Sequence, residues 1–370
     1  MALTKLGNFI ETLDLRNSDD KYGEKSVVGL STQKTIITTK ADLSGVKLSS
    51  YKLFPPKSFA YVPDTSRRGD KMSMAYNSSN ETYLVSSISI VFKVIKPDKL
   101  ISDYLFMFFN RPEFDRYSRF NSWGSARETF SWNEMQNIEI DLPPVDVQQK
   151  YVNIYKSMLE NQKCYETALD DLKLVCDAYI EDLRKKYPSC KIGQYITKRD
   201  ERNSDNSIKN VMGISVTKEF RLPTSKVKRD ELASYKIVRP NDIAFVQTTH
   251  NEKVFAFACN LTNNNIVVSS VNEVFFTDTK YLLPDYLSLY FMRKEFDRYA
   301  RFHSWGTARE TFTLKDVSDV EIPIPDIEIQ RSIADIYKVY MERKQINEHL
   351  KAQIKNICPI LIKGSLNEGK

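Results

Sequence analysis

In the first part of the chain the apolar positions fall in short runs with partial alternation, divided by polar stretches. Phe59-Ala60-Tyr61-Val62, introduced by Pro56, and the β-branched run Leu84–Val94 predict strands, with the polar stretch Pro63–Glu81 predicted as a loop between them. An apolar patch at Asp103–Phe109 predicts a helix with Asp103 as its N-cap, and Ile138–Pro144 reads as an extended, proline-terminated segment. From Tyr151 the period changes. Tyr151, Tyr155, Met158, Gln162, Tyr165, Leu169, Leu172, Cys176, Tyr179 and Leu183 alternate spacings of four and three, which is the seam of a coiled coil with one polar member. The span 151–183 lacks Gly and Pro, so it predicts a single helix of roughly 50 Å at ~1.5 Å per residue.

The same succession then returns. Ile243–Val246 follows Pro240, and Gln247–Asn265, Val267–Thr277, Asp285–Phe291 and Val320–Pro325 repeat the loop, strand, helix and proline segment. A second, less regular seam runs through Ile333, Tyr337, Tyr340, Asn347, Leu350, Ile354, Ile357 and Leu361, disturbed at Lys344 and at Pro359, where a kink or end is expected. The recurrence is an internal duplication. EFDRYSRFNSWGSARETF at Glu113–Phe130 comes back as EFDRYARFHSWGTARETF at Glu295–Phe312, identical at 15 of 18 positions and 182 residues later (295 − 113). The offset shrinks in small steps along each copy, from 186 at Gly7/Gly193 through 184 at Ser50-Tyr51-Lys52/Ser234-Tyr235-Lys236 to 182, so the insertions are short and belong in loops. The expected layout is a mixed α/β (α+β type) globular unit at 1–146, a helix at 147–187, a second unit at 188–328 and a helix at 329–366. The two helices either pack on each other or lie separately, each on its own unit.

Length and composition allow two cores of ordinary size: 370 residues, 41% hydrophobic and 28% charged. The densest apolar runs, such as Tyr104–Phe109, are too short to cross a bilayer, and MALTKLGNFI has no signal-peptide pattern, so a cytoplasmic protein is expected. Five scattered cysteines show neither metal spacing nor a disulfide framework. The formal net charge of +6 permits a polyanionic partner without requiring one.

Signals of catalysis are absent. There is no dinucleotide fingerprint and no P-loop. His250, His303 and His349 are far apart, and His303 is replaced by Asn121 in the other copy. The acidic Asp19-Asp20-Lys21 becomes Asp205-Asn206-Ser207 in its repeat. Neither a catalytic nor a metal site is expected. Two features suit binding instead. The repeated stretch carries Ser125 and Arg127, and Thr307 and Arg309, around Gly124 and Gly306; such donors fit phosphate oxygens, although the same stretch equally suits core and ion-pair duty. The loop after the first strand carries Thr65, Ser66, Arg67, Arg68 and Lys71, and its counterpart Thr248, Thr249, His250, Asn251 and Lys253. These are either base-reading side chains of two different half-sites or plain solvated loops.

Each half resembles a target-recognition unit of the specificity (S) subunit of type I restriction-modification systems. The resemblance lies in Ser50-Tyr51-Lys52 with its strand, the Asp64–Lys71 loop, Val85-Ser86-Ser87, the 112–130 stretch and IEIDLPPVDVQQ at 138–149, with their second-half equivalents. It implies two target-recognition domains, related by a pseudo-twofold axis, joined by two long helices that pair as an antiparallel coiled coil. It further implies a non-catalytic subunit that reads an asymmetric bipartite target in double-stranded DNA. Two methyltransferase (M) subunits and restriction (R) subunits would be the partners, and S-adenosylmethionine, ATP and Mg would sit on those partners and not on this chain. A protein–protein scaffold, or a nuclease with its own site, is the alternative.

Overall fold

The computed structural model describes residues 3–369 except 40, 66–70, 126, 225, 229–230, 249–253 and 307–309. The chain divides into two compact units, Met1–Lys163 with Glu348–Lys370, and Cys164–Asn347. In chain order the helices are α1 (Ser102–Phe109), α2 (Pro112–Phe120), α3 (Trp132–Gln136) and α4 (Val145–Lys186). They continue as α5 (Pro284–Met292), α6 (Lys294–Phe302), α7 (Leu314–Ser318), α8 (Ile327–Lys355) and α9 (Ile357–Glu368). No helix among the described residues is long and apolar enough to cross a membrane.

Each unit is built on a four-stranded antiparallel sheet. In the first the order is Ile10–Leu13, Ile90–Val94, Ser58–Tyr61, Met74–Tyr76. In the second it is Ile196–Lys198, Glu273–Thr277, Ile243–Phe245, Phe257–Cys259. The duplication is therefore repeated strand for strand. Phe59 stands opposite both Phe92 and Tyr76, and its ring stacks on theirs at 5.0 and 4.8 Å. Phe109 and Phe114 then close the core from the helical side. In the second unit Phe255 takes the central role, with Phe245, Phe257, Phe291, Phe296 and Phe312 around it.

Local expectations are revised in three places. The runs Leu84–Val94 and Val267–Thr277 are each two strands, broken by turns in which Ser89 and Asn272 donate their N–H groups back to Ser86 and Ser269. The polar stretches Pro63–Glu81 and Gln247–Asn265 contain the edge strands Met74–Tyr76 and Phe257–Cys259, which are too short to display a period. Asp103 and Asp285 are not N-caps: Ile101 and Leu283 hold that position, and both aspartates lie inside the first helical turn, where the helix dipole favours a negative charge.

The long helices pack within each unit. In the first unit, Val152 and Tyr155 of α4 join Cys358, Leu361 and Ile362 of α9 in the core. In the second, Cys176, Ile180 and Leu183 of α4 join Ile333 and Tyr337 of α8, and the Arg343 guanidinium lies over the Tyr165 ring. The partners run antiparallel in both. Tyr179 of the expected seam is exposed, and Ile180 is buried in its place, because this end of α4 packs onto its unit's core as well as onto α8. The C-terminal helix breaks at Asn356, ahead of Pro359: the proline ring would clash with the carbonyl of Lys355, four residues earlier, so α8 ends there and Pro359 falls in the first turn of α9.

Residues 348–370 thus occupy in the first unit the role that 164–187 have in the second. Cys358 and Cys176 are the clearest equivalents, both buried, with burial pushing each thiol up to about 11.

Two buried glutamines fasten the long helices to the segments that lead into α1 and α5 and to the proline segments. Gln148, fully buried on α4, donates to the carbonyls of Lys99 and Pro143 at 2.8 and 2.9 Å and accepts the N–H of Ile101 at 3.0 Å. Gln330 on α8 repeats this with Tyr281, Pro325 and Leu283 at 2.8, 2.8 and 2.9 Å. The side chain therefore satisfies the N–H of the N-cap residue of α1 or α5. Replacing Gln148 or Gln330 by Leu leaves one buried and two partly buried backbone groups without the glutamine's hydrogen bonds. Each variant is expected to lose about 3 kcal/mol or more, at roughly 1–3 kcal/mol per orphaned group. Urea unfolding followed by circular dichroism measures this; a midpoint equal to wild type would show that these bonds contribute nothing.

Candidate nucleic-acid interface

The loop predicted to carry the recognition side chains is held at both ends by the repeated stretch. In the first unit, α2 forms because Pro112 opens it, Glu113 and Asp115 lie in its first turn and Arg119 in its last. Asp115 points inward. Both its oxygens accept from the Lys34 ammonium, at 2.7 and 2.8 Å, and Oδ1 also accepts the backbone N–H of Met72 at 3.1 Å. Met72 is where the loop returns to the sheet. At the other end, Thr65 donates its N–H and its hydroxyl to the Glu128 carbonyl at 3.0 and 3.1 Å, Asp64 bridges Thr129, and Phe130 donates its N–H to Pro63.

The second unit repeats the clamp. Lys218 lies 2.8 Å from Asp297, Phe255 donates its N–H to the same oxygen at 3.0 Å, Thr248 bridges Thr311, and Phe312 donates its N–H to Gln247. Both lysines are nearly buried and adopt left-handed backbone angles, φ +60° for Lys34 and +64° for Lys218, a conformation that costs an L-residue about 1–2 kcal/mol. Burial pulls both ammonium groups below the ordinary lysine value, and the aspartate opposes it. The strained turn is retained because it aims the ammonium at the carboxylate.

Between the clamp's two arms lies the glycine turn. Trp123 and Thr129 exchange backbone hydrogen bonds at 3.1 and 3.0 Å, closing a loop in which Gly124 has φ +144°. A Cβ there would meet the Arg127 carbonyl oxygen at 2.1 Å, so only glycine fits. Gly306 has φ +143° in the equivalent loop, which Trp305 and Thr311 close. Ser131 then caps α3, and Thr313 forms a capping box with Asp316 for α7.

Five of the predicted residues can be placed. Thr65 is 4% exposed, and its hydroxyl serves the loop stem. Thr248 is half-buried in the matching bridge. Ser125 and Arg127 are exposed on the glycine turn. Lys71 is exposed and lines a cavity of about 470 Å³ with Arg116, Lys355 and the Lys34–Asp115 pair. Ser66, Arg67, Arg68, Thr249, His250, Asn251, Lys253, Thr307 and Arg309 lie outside the described residues. The helical arginines of the stretch pair with acids: Arg116 with Glu113, Arg119 with Glu128, Arg298 with Glu295 and Arg301 with Glu310. Among the described residues no cluster of His, Cys, Asp or Glu is arranged to hold a metal ion.

Sequence reasoning missed Lys34 and Lys218, although each copy retains a lysine at the equivalent place. Asp115→Ala would leave Lys34 buried and unpaired, at a cost of about 3–5 kcal/mol. The double variant Asp115→Leu/Lys34→Met is expected to recover part of that loss in thermal unfolding. A double variant as unstable as the single one would show that the charge pair is not the stabilising element.

The protein-family model for the type I restriction modification DNA specificity domain matches residues 241–356, which run from the central strand of the second unit to the end of α8. No curated protein sequence matches the chain. Among solved structures, the type I restriction-modification system S subunit from M. genitalium superposes with a TM-score of 0.61 at 8% identity, over 99% of this chain and 95% of that one. The HsdS subunit from Thermoanaerobacter tengcongensis aligns with a TM-score of 0.40 at 15% identity, over 99% and 96%. The first of these establishes a common fold. The second half thus carries a segment similar to the type I restriction modification DNA specificity domain, the first half carries its internal repeat, and the whole chain shares the fold of the M. genitalium S subunit.

Proposed function

We propose that the chain reads an asymmetric, bipartite sequence in double-stranded DNA, one half-site per unit, and directs methyltransferase subunits and restriction subunits to it. The observation that carries this reading is the pair of equivalent clamps holding unlike loops. Lys34–Asp115 and Lys218–Asp297 fix the stems in the same way, while the tips carry Ser66, Arg67, Arg68 and Lys71 in one unit and Thr249, His250, Asn251 and Lys253 in the other. Arginine matches guanine, and asparagine adenine, in the major groove, so unlike tips on like stems suit two different half-sites. Ser125, Arg127, Thr307 and Arg309, the same or nearly so in both halves, suit phosphates, which are the same at every sequence.

In this reading the antiparallel helices set the spacing of the half-sites and carry much of the docking surface for two methyltransferase subunits. S-adenosylmethionine, ATP and Mg belong to the partners, and the complex works in the cytoplasm.

Co-expression with the cognate methyltransferase subunit in a methylation-free host, followed by methylation mapping, tests the proposal. A single gapped, asymmetric motif is expected. A symmetric motif would mean that one recognition domain is used twice, and no motif from an assembled complex would overturn the proposal. Alanine at Arg67 or Arg68 is expected to cost about 1–3 kcal/mol of discrimination at the base it reads. Affinity should also fall steeply with salt, as phosphate contacts require, in a filter-binding titration.

A further inference from the structure

The exposed aromatic side chains of the repeated stretch have no role in the fold. Phe114 and Phe130, and Phe296 and Phe312, are buried and explain their own retention in both copies. Phe120 and Trp123 are 79% and 64% exposed, and Phe302 and Trp305 are 77% and 73% exposed. Large rings left in water at the same two positions of both units, beside loops that have diverged, call for an occupant common to both.

The backbone ladder shows which surface they share. Asp64 bridges Thr129, which bridges Trp123; Thr248 bridges Thr311, which bridges Trp305. Directly opposed residues in an antiparallel ladder project on the same face. Each tryptophan therefore stands on the face of the loop stem, two bridges from the residue that leads into the recognition loop. Phe120 and Phe302 end α2 and α6 three residues before the tryptophans, next to Arg119 and Arg301. Exposed Arg127 follows Trp123 on the glycine turn, and Arg116 and Arg298 are the most exposed arginines of their helices. Aromatic rings among arginines, continuous with a base-reading loop, fit a polyanion with apolar sugars and base faces.

We propose that Phe120 with Trp123, and Phe302 with Trp305, are sequence-independent aromatic contacts to duplex DNA, packing on its sugars and base edges beside the bases that each loop reads. A ring carries little hydrogen-bond information, so identical pairs can serve two unlike half-sites. The inference rests on the DNA-recognition reading above.

The test uses the complex of the full chain with its methyltransferase partner, a duplex carrying the mapped target and a scrambled duplex of equal length. Phe120→Ala/Trp123→Ala and Phe302→Ala/Trp305→Ala are each expected to raise Kd about tenfold or more for both duplexes by a similar factor. The methylated motif should stay unchanged, and Trp123→Phe should retain most of the affinity. Two results overturn the assignment: unchanged DNA affinity in an assembled complex, or a variant, folded by circular dichroism, that no longer binds the methyltransferase subunit and so marks a protein interface. A wild-type complex that binds neither duplex overturns the DNA-recognition reading, and this inference with it.

Discussion

One buried carboxylate in each unit holds together a strained turn, a helix and the stem of a long loop. Asp115 and Asp297 accept both a buried lysine from the strained turn and a backbone N–H at the returning end of the loop. The charge pair is stable because the carboxylate is also hydrogen-bonded and the lysine has a full partner; either ion alone at that depth would be strongly destabilising. From this node the rest follows. α2 and α6 must keep their register, the glycine turn must fold back, and the outgoing end of the loop must meet the Glu128 carbonyl or Thr311.

Such an arrangement separates rigidity from specificity. The stems are fixed by backbone hydrogen bonds and a buried ion pair in both units, whereas the loop sequences beyond them differ between the two halves. The buried glutamines do for the long helices what the aspartates do for the loops. Gln148 and Gln330 join the start of α1 or α5 to the proline segment through three hydrogen bonds each, so each long helix leaves its unit at a defined place.

Much of this was legible in the residues. A period of four and three can only be a seamed helix, and 15 identities in 18 positions can only be a duplication. The central strands were legible because their apolar runs are long enough to show a pattern. The edge strands Met74–Tyr76 and Phe257–Cys259 were not, because three residues have no period. Their strand character comes from the neighbour that pairs with them. The same limit applied to Asp103 and Asp285, where the N-cap lies two residues earlier, at Ile101 and Leu283, whose N–H groups are taken up by a glutamine from a distant helix.

By itself, then, the sequence determined the repeat, the alternation of sheet and helix, the long seams and the polar loops that differ between halves, since each is a matter of local period or of self-comparison. Only the tertiary structure decided which charges are buried together, that the loop and the glycine turn form a single assembly, and that residues 348–370 complete the first unit as 164–187 complete the second. It also separated the aromatic residues of one stretch into core and surface, with Phe114 inside and Phe120 and Trp123 in water. Those outcomes depend on contacts between residues far apart in the chain, such as Lys34 and Asp115, 81 positions apart, and no periodicity along the chain encodes which distant side chain will supply a partner.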